Sequence, residues 1–271
     1  MPIDWTHQWR RATILANPEC ARGSRWITLR ADDEHPVPYE PGNVLVLRLG
    51  GGDALRHAYT VTWADAAKRT FSIIYRVIPK GRMTPRLAAL GPDASVEFRG
   101  IHHNPIRHEV NSRARQVVGL ATGTGVGPLY GYFRYVLENN LEERPLSLFV
   151  GFREEVDIGP REELDALATK YSNFKWAPSL SRPHAGWKGL SGRISESVPG
   201  LIDFPGQTHF HLIGNGAMLA DMEAALARVG VPRELVSDEY YFNWNAEAID
   251  TITARIATRF RVDTVFPLVP R

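Results

Sequence analysis

The sequence predicts a two-domain protein in which an N-terminal antiparallel β-barrel is followed by an α/β domain with a parallel sheet. The chain has 271 residues, of which 44% are hydrophobic, and this length suits two domains that each bury a core. Short strand-like segments fill its first part, whereas strands alternate with helices in its second part. We therefore expect a barrel over residues 1–112, an α/β domain over residues 113–242 and a helical tail over residues 243–271.

The barrel is predicted from segments rich in β-branched and aromatic residues, which favour strands. Turn residues separate these segments, as at residues 40–43 and 50–53. The predicted strands are residues 25–30, 43–49, 58–63 and 70–77, and a short helix is predicted at residues 84–90. Short strands at this spacing are typical of a small antiparallel barrel.

The α/β domain is predicted from apolar strands that alternate with amphipathic helices, a pattern that indicates a parallel sheet covered on both faces. Its strands are predicted at residues 116–121, 146–151, 174–179, 209–213 and 235–242. Its helices are predicted around Leu129, Phe133, Val136 and Leu137, at residues 161–170, and around Met218, Met222, Leu226 and Val229. The tail predicts one more amphipathic helix, with apolar residues at Ile249, Ile252, Ile256 and Phe260.

The composition excludes several classes of protein. The formal net charge of +2 is too small to indicate nucleic-acid binding, and the single Cys20 permits neither an intrachain disulfide nor a plant-type iron–sulfur cluster. No apolar run approaches the roughly 18 residues of a membrane-spanning helix, and residues 1–11 lack the apolar core of a signal peptide. We therefore expect a cytoplasmic protein that binds neither nucleic acid nor a membrane.

A glycine-rich turn joins the first predicted strand of the α/β domain to its first helix. The turn consists of Thr122, Gly123, Thr124, Gly125, Val126, Gly127 and Pro128. Glycines let backbone N–H groups approach a phosphate, and proline suits the first turn of a helix, where no N–H is needed. The turn therefore indicates a pyrophosphate site, although a plain tight turn has a similar composition. It matches neither the Gly-x-Gly-x-x-Gly fingerprint nor a P-loop.

Four motifs follow one another along the chain: His57-Ala58-Tyr59-Thr60, Gly81-Arg82-Met83-Thr84, the turn from Gly123 to Pro128, and Gly214-Asn215-Gly216-Ala217-Met218. Taken in this order, they resemble the ferredoxin–NADP reductase superfamily, flavoenzymes with a flavin-binding barrel and a nicotinamide-binding α/β domain. The resemblance covers residues 9–242. His57-Ala58-Tyr59-Thr60 is similar to the family's Arg-x-Tyr-Ser/Thr, whose aromatic ring packs on the isoalloxazine and whose hydroxyl bonds flavin N5. Gly81-Arg82-Met83-Thr84 is similar to Gly-x-x-Ser/Thr, a helix start that receives the flavin pyrophosphate. This second motif implies FAD rather than FMN, with backbone amides at Met83 and Thr84 facing the phosphates.

The other two motifs lie in the α/β domain and imply a nicotinamide-nucleotide site. The turn from Gly123 to Pro128 matches Gly-Thr-Gly-x-x-Pro, which holds the nucleotide pyrophosphate in the family. The segment from Gly214 to Met218 is similar to the stretch beneath the nicotinamide. The residues implied in nucleotide binding are Thr122, Gly123, Thr124, Gly125, Gly127, Gly214, Asn215 and Met218.

The chain departs from the family pattern at two positions. His57 replaces the arginine that faces the flavin phosphates, as in ferric reductases and NADPH oxidases. Arg56 is adjacent and Arg76 lies on the neighbouring predicted strand, so several cations could meet the phosphates, and His57 could also be a plain surface residue. Many members carry a cysteine beside the reacting nicotinamide, where this chain has Ile213. We expect hydride transfer to persist there at an altered rate, because it needs alignment more than a functional side chain.

Arginines after the predicted strands favour the phosphorylated nucleotide. Ser181-Arg182, followed by Arg193, resembles the Ser-Arg pair that holds the 2′-phosphate in members that use NADPH, and Arg153 follows the preceding strand. A guanidinium fork suits a phosphate dianion. NADH, with these arginines merely solvated, is the alternative.

Other chemistry has little support in the sequence. His209 and His211 share one face of a predicted strand, and His102, His103 and His108 form a second cluster. No cysteine or carboxylate lies at ligand spacing nearby, so we expect no metal site. A serine hydrolase is equally unsupported, because the chain has no Gly-x-Ser-x-Gly elbow.

The resemblance implies an FAD-dependent oxidoreductase that transfers hydride from NADPH to flavin N5 and then single electrons to a separate carrier. Tyr59, Thr60 and Glu239 are the expected catalytic residues. A small acidic carrier such as ferredoxin or flavodoxin is expected, because residues 99–115 hold four arginines and three histidines against Glu109 alone, although a solvated linker has the same bias. The alternatives are a reductase of ferric complexes or of an oxygenase component, and a non-catalytic electron-transfer subunit.

Overall fold

The computed structural model describes residues 8–50, 55–102, 106 and 110–241, which form one antiparallel and one parallel sheet. The antiparallel sheet comes first and is a half-barrel, and the parallel sheet with its helices follows. This arrangement confirms the predicted fold class. The tail predicted at residues 243–271 lies outside the described residues. None of the helices in the described residues has the length and apolar character of a membrane-spanning segment.

The half-barrel surrounds its own apolar core. Its strands are β1 (Arg10–Ala16), β2 (Glu19–Ala21), β3 (Ser24–Ala31), β4 (Val44–Arg48), β5 (Arg56–Thr60), β6 (Trp63–Asp65), β7 (Thr70–Arg76) and β8 (Ser95–His102). Their order is β5-β4-β8-β1-β3-β7-β6, with β2 beside β3. Ile14, Ile27, Phe71 and Phe98 are fully buried between them, and α1 (Thr84–Ala89) adds Leu87 to the same core.

The half-barrel differs from the sequence prediction in two ways. Strands β1, β2 and β8 were not predicted, although apolar and charged residues alternate along β8. The strand predicted at residues 58–63 is two strands, because the chain changes neighbours between them. The Val61 N–H donates to the Asn43 carbonyl at 2.8 Å, whereas the Thr62 N–H donates to the Ser72 carbonyl at 2.8 Å.

The second sheet is parallel and has helices on both faces, as predicted. Its strands are β9 (Gln116–Thr122), β10 (Leu146–Phe152), β11 (Phe174–Leu180), β12 (Leu190–Ser191), β13 (Thr208–Asn215) and β14 (Val236–Tyr241). Their order is β12-β11-β10-β9-β13-β14. The helices are α2 (Val126–Glu138), α3 (Arg161–Lys170), α4 (Ile194–Ser197) and α5 (Gly216–Arg228). Val117 packs with α2 and α3, while its neighbour Val118 packs with α4 and α5. Val229, predicted on the apolar face of α5, lies beyond its end and is 39% exposed.

Two glycines bring α2 directly against the half-barrel. A Cβ at Gly131 would lie 1.9 Å from the carbonyl oxygen of Thr62, and a Cβ at Gly127 would lie 2.8 Å from the Thr62 hydroxyl. Side-chain contacts flank the glycines: Trp26 with Tyr130, Tyr39 with Tyr135, and Arg134 over Trp63. This close packing fixes the carboxyl ends of the parallel strands beside β5 and β6.

Candidate active site at the seam between the domains

The contact between the half-barrel and the parallel-sheet domain, which we call the seam, brings together one predicted catalytic residue from each domain. Thr60 is the last residue of β5, and its hydroxyl donates a hydrogen bond to Oε1 of Glu239 on β14 at 2.5 Å, across 179 residues of sequence. Both side chains are half-buried. Glu239 pairs in register with Ile213 on β13, whose side chain is 2% exposed. The Thr60 hydroxyl and the Glu239 carboxylate therefore lie beside Ile213, the residue that the sequence aligns with the cysteine of many family members.

Tyr59 presents a buried polar atom that nothing in the described part of the chain satisfies. Its hydroxyl is inaccessible to solvent and lacks a hydrogen-bond partner among the described residues, and burial raises the pKa of the phenol. The ring makes edge contacts with His57 and Tyr75, with centroids 6.1 and 6.3 Å apart. A buried hydroxyl without a partner costs about 1–3 kcal/mol, so the position suits a bound group that brings polar atoms.

The cations proposed for the flavin phosphates do not all lie on the face of Tyr59. His57 shares that face because strand residues alternate, whereas Arg56 lies on the other side of β5. Arg76 ends β7 and is exposed, next to Tyr75, which is buried in the core. The His57 side chain reaches solvent, yet partial burial of its imidazole removes water from the ring and lowers its pKa below the usual value. The ring is therefore neutral at pH 7 in the absence of a nearby anion.

The segment from Gly81 to Thr84 leads into α1. The Thr84 hydroxyl accepts the N–H of Ile78 at 2.9 Å, and the side chains of Met83 and Thr84 are buried. Arg82 is exposed. A phosphate at this segment would therefore meet backbone groups and the Arg82 guanidinium rather than the side chain of Met83.

The glycine-rich turn has one open side and one packed side. Gly123 has φ +54°, in the left-handed region that favours glycine, and a Cβ there would meet nothing within 4 Å. Thr122 and Thr124, on either side of Gly123, are half-buried. A Cβ at Gly125 would lie 2.5 Å from the Ile213 carbonyl oxygen, so this glycine permits close approach of β13. The backbone at Gly123 is therefore exposed with free space beside it, whereas Gly127 packs against the half-barrel.

The predicted nicotinamide segment begins α5. Asn215 caps this helix, and its Oδ1 accepts the N–H of Met218 at 3.0 Å. Met218 itself is buried in the core between the sheet and α5. A Cβ at Gly214 would lie 2.7 Å from the Thr122 hydroxyl, so a larger residue would displace that side chain where β9 and β13 end side by side.

The strand ends of β10 and β11 form a cationic edge. The Ser181 N–H donates to the Phe152 carbonyl at 3.0 Å, and the Arg182 N–H donates to the Arg153 carbonyl at 2.8 Å. Arg153 and Arg182 are exposed, and neither guanidinium has a carboxylate partner among the described residues. Arg193 differs, because its Nη1 lies 3.4 Å from Oδ2 of Asp221. A backbone hydrogen bond therefore joins two of the three predicted arginines, and neither of them forms an ion pair in the described part of the chain.

The two strand histidines predicted to share a face are buried and bonded to one serine. Both imidazoles contact the hydroxyl of Ser237 on β14, and their ring centroids are 4.7 Å apart. Burial lowers the pKa of His209 to about 4, and burial also lowers the pKa of His211 well below its usual value. Among the described residues, no group of three or more side chains could hold a metal ion. The other predicted cluster, His102, His103 and His108, lies outside the described side chains.

Similar proteins share both the sheet domain and the overall arrangement. Residues 120–224 match the family model described as the oxidoreductase NAD-binding domain. Ferredoxin–NADP reductase B of Sorangium cellulosum is 32% identical over 204 residues, which cover 73% of this chain and 82% of that protein. NADH-cytochrome b5 reductase 1 of Dictyostelium discoideum is 29% identical over 148 residues, which cover 55% of this chain but only 51% of that protein, so the match spans about half of this relative.

A solved structure shows the same fold. The ferredoxin NADP+ reductase from Neisseria gonorrhoeae, determined with bound FAD and NADP, has a TM-score of 0.73 at 20% identity and covers 86% of this chain and 99% of that one. An antiparallel half-barrel joined to an NAD-binding parallel-sheet domain defines an oxidoreductase that uses a nicotinamide nucleotide. Because the Sorangium reductase is similar over most of its length, the chain belongs to the ferredoxin–NADP reductase family, which confirms the resemblance that the four motifs carry.

Proposed function

We propose that this chain is an FAD-dependent reductase that takes hydride from NADPH and passes single electrons to a small acidic carrier such as ferredoxin or flavodoxin. The observation that supports the proposal most strongly is the hydrogen bond from Thr60 to Glu239, because it joins the two domains where the family carries out its reaction. FAD, when bound, would supply the chemistry that accepts a hydride at N5 and releases electrons one at a time.

The half-barrel residues would hold and orient the flavin. Tyr59 would cover the ring, and a polar group on the flavin would satisfy its buried hydroxyl. Thr60 has one hydroxyl proton, which is donated to Glu239, so its lone pairs point elsewhere and can accept an N–H from a ligand. Glu239 thus fixes the direction of the Thr60 hydroxyl. Backbone groups at residues 81–84, together with Arg82, would meet the flavin phosphates.

The sheet-domain residues would hold the nucleotide. The open side of the turn at Gly123 would receive its pyrophosphate. Arg153 and Arg182 support NADPH over NADH, since two guanidinium groups without acidic partners among the described residues suit a 2′-phosphate dianion. The names of the similar proteins include both NADP and NADH enzymes, so this preference rests on the arginines. Ile213 would pack beside the nicotinamide and align it without a hydrogen bond.

The arginine-rich segment at residues 99–115 supports an acidic partner less strongly in the structure than its charge suggests in the sequence. Arg115 immediately precedes β9 and lies over the Phe204 ring, a full strand length of roughly 20 Å from Thr122 at the other end of β9. Arg99 lies over the ring of Trp9. The described arginines of residues 99–115 therefore form no single patch beside the seam, and the family resemblance carries the partner proposal.

Electron transfer at varied ionic strength tests this function. FAD-loaded protein should reduce ferredoxin with NADPH as donor, and the rate should fall as salt rises from 20 to 300 mM if the carrier docks through opposite charge. A salt-independent rate would contradict the acidic partner. Failure to reduce any one-electron acceptor, despite bound FAD, would contradict the reductase and favour a non-catalytic subunit.

A further inference from the structure

A turn of the half-barrel reaches across the seam to the segment that follows β10. Arg22, between β2 and β3, donates from Nε and Nη2 to the two carboxylate oxygens of Asp157, both at 2.8 Å, and from Nη1 to Oε2 of Glu154 at 2.9 Å. Its backbone N–H also donates to the Val156 carbonyl at 3.1 Å. One residue of the first domain therefore makes four bonds to a single short turn of the second.

This turn adjoins the cationic edge proposed for the 2′-phosphate. Arg153 immediately precedes Glu154, and its carbonyl accepts the N–H of Arg182. Glu154 and Asp157 also cap their own turn, since Oδ2 of Asp157 accepts the N–H of Glu154 at 3.1 Å. The backbone at Arg153 is thus held by Arg182 on one side and, through the capped turn, by Arg22 on the other.

The two domains touch closely at this point. A Cβ at Gly159 would lie 2.5 Å from the carbonyl oxygen of Cys20, so the segment after the turn packs directly on the half-barrel. Arg22 therefore bonds to a turn just before a segment that packs on its own domain, and its side chain is about half exposed to solvent. Because the Arg22 guanidinium makes two parallel hydrogen bonds to the Asp157 carboxylate, it fixes the orientation of this turn.

The charge of Arg22 matters as much as its bonds. Three acids, Glu154, Glu155 and Asp157, lie within four residues of one another directly after Arg153. Arg22 pairs with two of them, and Glu155 contacts His184 at 2.9 Å. Without Arg22, the carboxylates one and four residues after Arg153 would lose their cationic partner, and repulsion between exposed charges extends over roughly 8 Å at physiological salt.

We propose that Arg22 is a positioning residue for recognition of the 2′-phosphate of NADPH, although it belongs to the flavin-side domain. It holds the turn that presents Arg153 and neutralises the carboxylates next to it, without touching the nucleotide. The inference rests on the proposed preference for NADPH.

Nucleotide titrations of the FAD-loaded protein test this role. Arg22→Ala should raise the Kd for NADP+ about fivefold, as expected for two exposed ion pairs, while the Kd for NAD+ changes less than about twofold because NAD+ lacks the 2′-phosphate. Arg22→Lys should restore part of the affinity, since an ammonium keeps the charge but not the fork. The control is Lys68→Ala, which removes an exposed pair with Asp65 elsewhere on the half-barrel and should change neither Kd. At saturating NADPH, kcat should be unchanged in Arg22→Ala.

The outcomes separate the inference from the proposed function. If the parent protein prefers NADP+ but Arg22→Ala weakens both nucleotides equally, or weakens neither, Arg22 has only a structural role and the inference is wrong while the function stands. A parent protein that binds NADP+ and NAD+ equally overturns the NADPH preference and the inference together. Thermal unfolding of each variant accompanies the titrations, and if Arg22→Ala does not fold, Arg22→Lys carries the same comparison with a smaller expected change.

Discussion

Replacing Gly131 with alanine has two opposing effects on the stability of the folded protein, and the structure indicates the size of each. Gly131 lies inside α2, where alanine is favoured over glycine by about 1 kcal/mol, so helix propensity alone predicts a more stable protein. A Cβ there would lie 1.9 Å from the Thr62 carbonyl oxygen and 2.4 Å from the Tyr39 hydroxyl. Ordinary contact begins near 3.4 Å, so helix and half-barrel would have to separate by about 1.5 Å.

The clash should exceed the gain in propensity. The nearest atom is backbone and cannot rotate away, which places the cost near the upper end of the roughly 1–3 kcal/mol measured for overpacked sites. We expect Gly131→Ala to be destabilised by about 2 kcal/mol, or roughly 4–8 °C in thermal midpoint. Thermal and urea unfolding followed by tryptophan fluorescence measure this, because Trp26 and Trp63 line the interface.

A matched control separates the clash from a general effect of alanine. Gly200 is exposed, and a Cβ there would meet nothing within 4 Å, so Gly200→Ala should change stability by less than about 0.5 kcal/mol. If Gly131→Ala unfolds at the same temperature as the parent protein or higher, the close packing of α2 on the half-barrel is refuted.

Two further changes test the seam and the buried histidines. Thr60→Val removes the hydroxyl that donates to Glu239 and should slow NADPH-dependent reduction about tenfold, the effect of one hydrogen bond of roughly 1.4 kcal/mol, when measured by stopped-flow absorbance. Acid should destabilise the protein, because burial lowers the pKa of His209 to about 4 while the unfolded imidazole titrates near 6.5. Stability is therefore complete above pH 6.5 and falls between pH 6.5 and 4, by about 2 kcal/mol at pH 5 for His209 alone, as urea midpoints should show.

Each of these changes has its own comparison. Thr13→Val removes a similar threonine–carboxylate bond, to Asp32 on the half-barrel, and should leave the reduction rate unchanged; equal slowing in both variants would count against a special role for Thr60. For the histidines, His209→Asn should show a smaller loss of stability between pH 7 and 5 than the parent protein. An equal loss would show that other groups cause the acid sensitivity.

Most of the fold could be predicted because its signals are local. Most strands and helices of the sheet domain follow apolar periodicities that a short window of sequence contains, and their observed bounds differ from the predicted ones by few residues, whereas the short β12 and α4 were not predicted. The break between β5 and β6 could not be predicted, since it depends on which strands Val61 and Thr62 face, and those neighbours lie elsewhere in the sequence. Likewise, Gly127 belongs to the phosphate motif by sequence but packs on the half-barrel in the structure.

Some residues of the candidate site could likewise be predicted from the sequence, whereas others could not. Tyr59, Thr60 and the turn at Gly123 belong to motifs and could be found from the sequence. Arg22 belongs to no motif, and its bonds to Glu154 and Asp157 span more than 130 residues, so only the three-dimensional arrangement shows them. The pairing of Arg193 with Asp221 is hidden for the same reason.

Anaerobic rapid mixing of FAD-loaded protein with NADPH shows whether this chain passes hydride from the nucleotide to a flavin. We expect the purified chain to take up FAD with a visible flavin spectrum and NADPH to bleach this spectrum within seconds. Glu239→Gln should slow the bleaching while FAD stays bound. A protein that takes up no FAD, or whose flavin spectrum is unchanged by either nicotinamide nucleotide, would contradict it.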